Sequence, residues 1–336
     1  MNNPTCPLCH SRRYSVHKQY QHIGQLKYGC SLVLCQNCGH AFTEISGIAD
    51  SVDLYENEQY QLVDTRQSMF GRVIAFDDQS ALRRLERIKP PKQGASILDF
   101  GCGKGVFLHF AAVRGWNATG VETALKRAAF ARKNYGLKVI TDQYTGGAIP
   151  GGPFDAITLF HVLEHLPSPR ELLKKLVDEN LTATGTLVVE VPRFDSFQSV
   201  VAGKAWIHLD PPRHLSHFST TVLRAMLDDL GFLVVANSQF SIHNGLLGMV
   251  QGILSRLGYR KMLIEELKLH RTLSLLLMVS AVLPLAAALE LVACLFGRGG
   301  IIRFYCVRAS DVSGQASSST NRQMSNIVQT NGSTSL

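Results

Sequence analysis

Ile97-Leu98-Asp99-Phe100-Gly101-Cys102-Gly103-Lys104-Gly105, followed by Val121-Glu122, is the stretch that decides the reading of this chain. An apolar run ends in an acid, a glycine-rich turn follows, and a second apolar run ends in Glu122. The order is strand, turn, helix, strand. Glycines let a backbone approach a ligand and take positive φ without a Cβ clash. A carboxylate about 20 residues beyond such a turn can accept both hydroxyls of a ribose. The glycine spacing is G-x-G-x-G, not the dinucleotide pattern G-x-G-x-x-G. Asp99 stands where a pyrophosphate would be repelled and an ammonium group held. An adenine nucleoside carrying a compact charged group suits this arrangement.

Outward from that turn, strand and helix signals alternate from about residue 80 to residue 241. Strands are expected over 96–100, 117–121, 137–141, 153–160, 186–191 and 231–238, with helices over 104–114, 124–135, 169–180 and 220–230. A further helix over 70–88 closes at Pro90-Pro91, since a residue before proline is driven out of helical geometry. The run 153–160 is apolar enough for a strand buried on both faces. Repeated strand–helix units imply an α/β, Rossmann-like fold with ligands at the carboxyl ends of its parallel strands.

The D-x-G-x-G-x-G form of Asp99 to Gly105, with Glu122 ending the next strand, resembles motif I of the class I S-adenosylmethionine (SAM)-dependent methyltransferases. The resemblance covers roughly residues 96–236 and resumes at Ile301. It implies a seven-stranded sheet that ends in an antiparallel hairpin of strands six and seven. It also implies a cofactor map. Asp99, Gly101, Gly103 and Gly105 would line the methionine part of SAM, and Glu122 would take the ribose. Asp142, with Gln143, would reach the adenine edge, while Phe160 and His161 would stand beside the sulfonium.

After the fourth core strand comes Phe160-His161-Val162-Leu163-Glu164-His165-Leu166-Pro167. The (Asn/Asp)-Pro-Pro-aromatic motif of nucleobase and amide N-methyltransferases is absent there. The H-V-L-E-H-L form is similar to small-molecule and lipid methyltransferases of the ubiquinone-biosynthesis type. Some of those hold a divalent metal with E-x-x-E-H; here His161 replaces the first acid. Methyl transfer needs positioning above all, and a base only where the acceptor loses a proton. His161 and His165 are candidate bases, and the alternative is that Glu164 and His165 only organise the turn. A second constellation runs from Trp206 to Ser219 and contains Pro211-Pro212-Arg213-His214-Leu215-Ser216-His217-Phe218. It resembles a stretch in zinc-ribbon-bearing methyltransferases of bacterial polysaccharide and lipid gene neighbourhoods, and makes His214 a candidate base or acceptor anchor. His217 would pack against the next helix, capped by Ser219 or Thr220.

Cys6-Pro7-Leu8-Cys9 and Cys35-Gln36-Asn37-Cys38-Gly39 form two C-x-x-C knuckles. Four thiolates in this pairing suit tetrahedral structural zinc, with no open position for catalysis. Gly39 would let the backbone fold back under the metal. His10, Cys30 and His40 are spare ligands. Arg12, Arg13, Tyr14, His17, Lys18, Tyr20, Lys27 and Tyr28 interleave charge and aromatic rings, a pattern of RNA binding and equally of a solvated β surface. The net charge of +8 implies an anionic partner, nucleic acid or membrane.

Between the sixth and seventh strands lies an apolar insertion, 242–298, in which 273–296 has only Pro284 and Glu290 as strongly unfavourable residues. About 20 apolar residues span a bilayer, but one crossing would leave strand seven on the wrong side of the membrane to join strand six. A re-entrant hairpin bent at Pro284, or helices lying in the interface, are therefore expected. Eight flanking basic residues (Arg256, Arg260, Lys261, Lys268, Arg271, Arg298, Arg303 and Arg308) stand against Glu265, Glu266 and Glu290. This balance favours anionic headgroups and peripheral or monotopic attachment to the cytoplasmic membrane face; a buried dimerisation pair is the alternative. The start of the chain shows no signal-peptide pattern, so cytoplasmic retention is expected. The organisation expected is a zinc ribbon (1–45), a helical linker or lid (46–92), a methyltransferase core (93–241 and 299–309), the insertion, and a disordered tail (310–336). The function implied is methyl transfer from SAM to a small-molecule, saccharide or lipid-linked acceptor. The rivals are an RNA methyltransferase with a zinc ribbon and a non-catalytic SAM-binding scaffold.

Overall fold

In the computed structural model, residues 4–20, 29–46, 69–270 and 272–310 are described. At the N-terminal end, β1 (Tyr14–Tyr20), β2 (Gly29–Cys35) and β3 (Ala41–Ser46) form an antiparallel meander. Helix α1 (Met69–Ile88) leads into the core and ends ahead of Pro90, where the helical path is sterically blocked.

The core alternates strand and helix as its apolar periodicity requires. It runs β4 (Ser96–Phe100), α2 (Val106–Val113), β5 (Asn117–Val121), α3 (Leu125–Tyr135), β6 (Lys138–Ile140), β7 (Phe154–Phe160), α4 (Pro169–Asn180) and β8 (Leu181–Pro192). Then come α5 (Phe197–Ala202), the two-residue β9 (Ser216–His217), α6 (Thr220–Asp229) and β10 (Phe232–Ser238). The chain continues through α7 (Ile242–Arg256), α8 (Leu263–Leu269) and α9 (Leu273–Leu295) before closing with β11 (Ile301–Arg308). The seven-stranded sheet has the order β10-β11-β8-β7-β4-β5-β6. Strands β4 to β8 pair in parallel, whereas β11 is antiparallel to both β8 and β10. The last strand thus inserts between the fifth and sixth core strands, the hairpin expected of the Rossmann-like methyltransferase sheet.

Both faces of this sheet are covered. Ile97, Ala156 and Val188 pack into one core with Leu82, Leu85, Phe107 and Leu108, while their neighbours Leu98, Ile157 and Val189 pack into the other with Leu173, Leu176, Leu223 and Leu227. Alternation along a strand sends successive side chains to opposite faces. Each such buried aliphatic side chain stabilises by about 1.5–3 kcal/mol.

Two expectations change. The apolar insertion holds no hairpin bent at Pro284, because α9 runs as one helix from Leu273 to Leu295 with that proline inside it. Proline removes one helical hydrogen bond, and with Pro284 exposed the carbonyl left without its partner faces outward. Through Leu275 and Ala286, α9 packs against Met249, Val250 and Leu254 of α7. Glu290 fastens its far end, accepting the Gly300 amide at 2.8 Å. Second, the ribbon is not self-contained. Strand β9 completes its sheet, pairing Ala41 with His217 and Phe42 with Ser216. The segment 53–60 and the tail 311–336 lie outside the described residues.

Candidate active site and candidate metal centre

The glycine turn sits at the carboxyl ends of β4 and β5. Gly101, Gly103 and Gly105 take φ of 80°, 54° and 76°. A Cβ on Gly101 would stand 2.5 Å from Val162 Cγ2, and one on Gly105 2.6 Å from Leu137 Cδ1, whereas one on Gly103 meets nothing within 4 Å. Two glycines permit close packing, and the third faces open space. Glu122 locks the turn: its carboxylate accepts the Gly103 and Ala124 amides, each at 2.8 Å. Asp99 is buried and accepts from the Thr158 hydroxyl at 2.7 Å. Burial pushes its carboxyl up to about 7, with Thr158 lowering it and the Glu122 charge raising it. Among the described residues neither acid has a cationic partner. The donor set therefore fits a ligand with an ammonium group near Asp99 and hydroxyls near Glu122. Asp142 is exposed at the end of β6. Phe160 packs on Phe107 with ring centroids 4.7 Å apart.

His161 follows Phe160 with φ of 55°, a left-handed conformation rare outside glycine. Three contacts hold it there. Its amide donates to the Glu190 carbonyl at 2.9 Å, Nε2 lies 2.9 Å from Glu190 Oε1, and Nδ1 lies 3.2 Å from Glu164 Oε1. Burial alone would lower its pKa, but the two carboxylates outweigh burial and lift it to about 10. The two carboxylates thus favour the imidazolium form of His161. The same network continues through Arg303, which pairs with Glu190 and with Asp77 at 3.4 Å; Asp77 accepts the Ser241 hydroxyl at 2.6 Å, and Asn244 lies 2.7 Å from His161 Nε2.

His165 and His214 meet edge to face, with ring centroids 4.6 Å apart. The His165 Nδ1 lies 3.1 Å from the Arg213 carbonyl, and the His214 Nδ1 2.7 Å from the His208 carbonyl. A carbonyl accepts, so each Nδ1 carries a proton, and a neutral His214 presents a lone pair at Nε2. Burial, with help from the neighbouring imidazole of His165, holds His214 well below its ordinary pKa and therefore neutral. Ligand atoms of Glu164, His165 and His214 lie within 4.8 Å of one another, and Glu164 Oε2 is buried without a hydrogen-bond partner. This trio could hold a proton or a cation.

The four knuckle cysteines converge. Sγ atoms of Cys6 and Cys38 are 3.6 Å apart, those of Cys9 and Cys35 are 3.5 Å apart, and all four lie within 4.8 Å. Zinc–sulfur bonds of about 2.3 Å in a tetrahedron require sulfur separations of this size. Each knuckle ends in a left-handed residue, His10 at φ 57° and Gly39 at φ 73°. The spare ligands lie elsewhere: His10 bonds Glu171 at 3.0 Å, His40 bonds Ser216 at 3.2 Å, and Cys30 is buried with Leu32, Trp206 and Leu209. Two aromatic residues of the ribbon are likewise engaged, Tyr14 against the main core and His17 against Phe194.

The structure brings Asp99, Gly101, Gly103, Gly105 and Glu122 into one turn, and His161, His165 and His214 around Glu164. Sequence reasoning passed over Asp77, Glu190 and Asn244, and it counted Arg303 among the basic residues offered to lipid headgroups, whereas Arg303 is buried against Glu190 and Asp77. A signal existed for two of them: Glu190 and Arg303 are charges inside strands whose neighbours are all apolar.

Residues 73–237 match the family described as "Methyltransferase domain". The ubiquinone biosynthesis O-methyltransferase of Cronobacter sakazakii is 26% identical over 147 residues, 38% of this chain and 56% of that protein. The mitochondrial ubiquinone biosynthesis O-methyltransferase of Schizosaccharomyces pombe is 32% identical over 103 residues, 29% of this chain and 37% of that protein. The chain thus spans about half or less of the length of these curated relatives. Among solved structures, coclaurine N-methyltransferase bound to N-methylheliamine and SAH is similar with a TM-score of 0.44 and 16% identity, covering 69% of this chain and 72% of that one. A SAM-dependent methyltransferase from Archaeoglobus fulgidus has a TM-score of 0.42 and 18% identity, covering 69% of this chain and 94% of that one.

Proposed function

We propose that this chain, whose residues 73–237 belong to the class I SAM-dependent methyltransferases, transfers a methyl group from SAM to a small-molecule acceptor carried at a membrane face. The observation that carries the reading is a pair of acids, Asp99 and Glu122, with no cationic partner among the described residues, on either side of a turn left open at Gly103. When bound, SAM supplies a methyl carbon on a sulfonium, which departs as neutral S-adenosylhomocysteine. Asp99 holds the ligand's ammonium, Glu122 its ribose hydroxyls, and Asp142 its adenine edge. Phe160 and the His161 clamp wall the methyl side. The acceptor's nucleophilic atom forms the new bond as carbon–sulfur breaks, and its proton passes to a neutral imidazole. His214, with His165 beside it, suits that role better than His161, which is already protonated.

The cysteine cluster is read as structural zinc, because four sulfur ligands leave no coordination position for substrate. The acceptor class is drawn from the ubiquinone-biosynthesis relatives and from α9, which is long and apolar enough to cross a membrane while only 17% of its most apolar window is buried. The test is calorimetric titration with S-adenosylhomocysteine, followed by incubation of the full chain with labelled SAM and fractionated lipid, small-molecule, glycan and RNA extracts. Saturable binding lost in Asp99→Ala, with label entering a lipid or small-molecule fraction, is expected. Label entering RNA alone would overturn the acceptor reading, and unchanged affinity in Asp99→Ala would overturn the cofactor site.

A further inference from the structure

A groove of about 370 Å³ lies between α1 and the edge of the sheet formed by β10 and β11. Ser80, Arg83, Arg84 and Arg87 of α1 line one side, on a single helical face by their spacing of three and four residues. Ser238 and Arg303 line the other. Several arginines outside the groove sit against carboxylates, Arg114 on Glu86, Arg193 on Asp195 and Arg213 on Asp210, as Arg303 at its floor does on Glu190. In the groove, Arg83 donates only to the carbonyl of Gln79 in its own helix, at 3.2 Å, and Arg84 lies over the Tyr305 ring, 5.9 Å from its centroid. No described carboxylate pairs with Arg83, Arg84 or Arg87; the nearest acid in sequence, Glu86, is taken by Arg114 and Trp116. Three guanidinium groups thus line one concavity with no counter-charge among the described residues. Beneath them, Asp77 and Glu190 pair with Arg303.

Uncompensated guanidinium forks beside two hydroxyls match a phosphoryl group, which accepts paired N–H bonds in its plane and hydroxyl donors besides. The groove is also tied to the site described above. The Arg303 guanidinium lines the groove and stands 5.6 Å from the centroid of Phe160. In the sheet, Arg303 pairs with Glu190 and Glu190 with Phe160, so groove and methyl side are separated by about 10 Å, two strand spacings. We propose that the groove binds a phosphoryl-bearing ligand and, resting on the methyltransferase reading, that this is the phosphate or diphosphate of the acceptor itself. The acceptor then carries its anionic group about 10 Å from the atom that is methylated. An upstream phosphoryl transfer must supply such a substrate.

The test is calorimetric titration of the full chain with inorganic pyrophosphate, alone and with S-adenosylhomocysteine present. Saturable binding that weakens with added salt is expected, as for contacts between exposed charges. The double variant Arg84→Gln/Arg87→Gln should weaken it at least tenfold. Both residues are exposed on a helix surface, and an unchanged thermal melt checks that the variant stays folded. Absence of saturable binding, or equal binding by the folded variant, overturns the proposal. Binding of S-adenosylhomocysteine without pyrophosphate overturns the groove alone, whereas absence of S-adenosylhomocysteine binding overturns the methyltransferase reading. Sedimentation with phosphatidylcholine vesicles containing phosphatidate then separates two sources of the group. Loss of sedimentation in the double variant assigns a lipid-borne phosphate; sedimentation equal to that of the parent, with pyrophosphate binding lost, assigns a water-soluble one.

Discussion

Asp99 carries the most information of any single residue. Its carboxyl is raised to about 7 by burial, against an ordinary 3.8, with Thr158 lowering it and Glu122 raising it. A folded-state value above the unfolded one contributes stability that is complete below pH 3.8 and lost as pH rises through about 7. Ligand binding has the opposite sign, because an ammonium group needs the carboxylate anion. Affinity for SAM should therefore fall as pH drops through 7, and calorimetry across pH 5.5 to 8.5 should show it; a flat profile would contradict the pairing. His214→Ala should cut turnover by roughly 100-fold, the usual scale for losing a general base, with S-adenosylhomocysteine affinity unchanged. His161→Ala should instead destabilise the chain, since it leaves Glu164 and Glu190 buried without their shared cation. A denaturant melt distinguishes the two. The acids at the strand ends were legible in sequence because their spacing is local. The clamp around His161 was not, because beside the local Glu164 its partners Glu190 and Asn244 come from β8 and α7, far along the chain.

At the scale of elements, the parallel strands were legible because each is a short apolar run between turn residues. Strand β9 was not: Ser216-His217 is two polar residues with no strand pattern, and only its partner makes it a strand. That pairing joins the cysteine knuckle to the candidate base. Thr43, two residues into β3, donates its hydroxyl to the His214 carbonyl at 2.7 Å, while its amide donates to Leu215 at 2.9 Å. Leu215 in turn donates to the Glu164 carbonyl at 2.7 Å. Cys35, Cys38 and Gly39 set the start of β3, so the knuckle holds the strand that holds His214. Thr43→Val should lower stability by about 1–3 kcal/mol through the buried acceptors it leaves. It should reduce turnover while S-adenosylhomocysteine affinity and metal content stay at parental values. Turnover equal to the parent would sever this link. Helix α9 was legible in its length and misread in its course, since an exposed proline interrupts a sequence pattern more than it interrupts a helix packed along α7.

The molecule as a whole presents its polar chemistry and its apolar surface side by side. Helix α7 contributes Asn244 to the His161 clamp and Met249, Val250 and Leu254 to the contact with α9. The outer face of α9 shows Leu277, Leu285, Leu291 and Leu295 at 55–77% exposure, more than scattered surface leucines account for. If that face meets lipid, Leu277→Asp/Leu291→Asp should abolish sedimentation with anionic vesicles and leave S-adenosylhomocysteine binding intact. Sedimentation matching the parent, or a dimer of the parent chain that the variant breaks, would point instead to a second copy.

The shared strand also governs how the protein is made. Thr43 and His217 meet across 174 residues, so the open edge of β3 leaves the ribosome long before its partner does. Until residue 217 emerges, the N-terminal meander offers unpaired amides and carbonyls to any strand nearby. The meander is therefore synthesised well before the strand that completes its sheet.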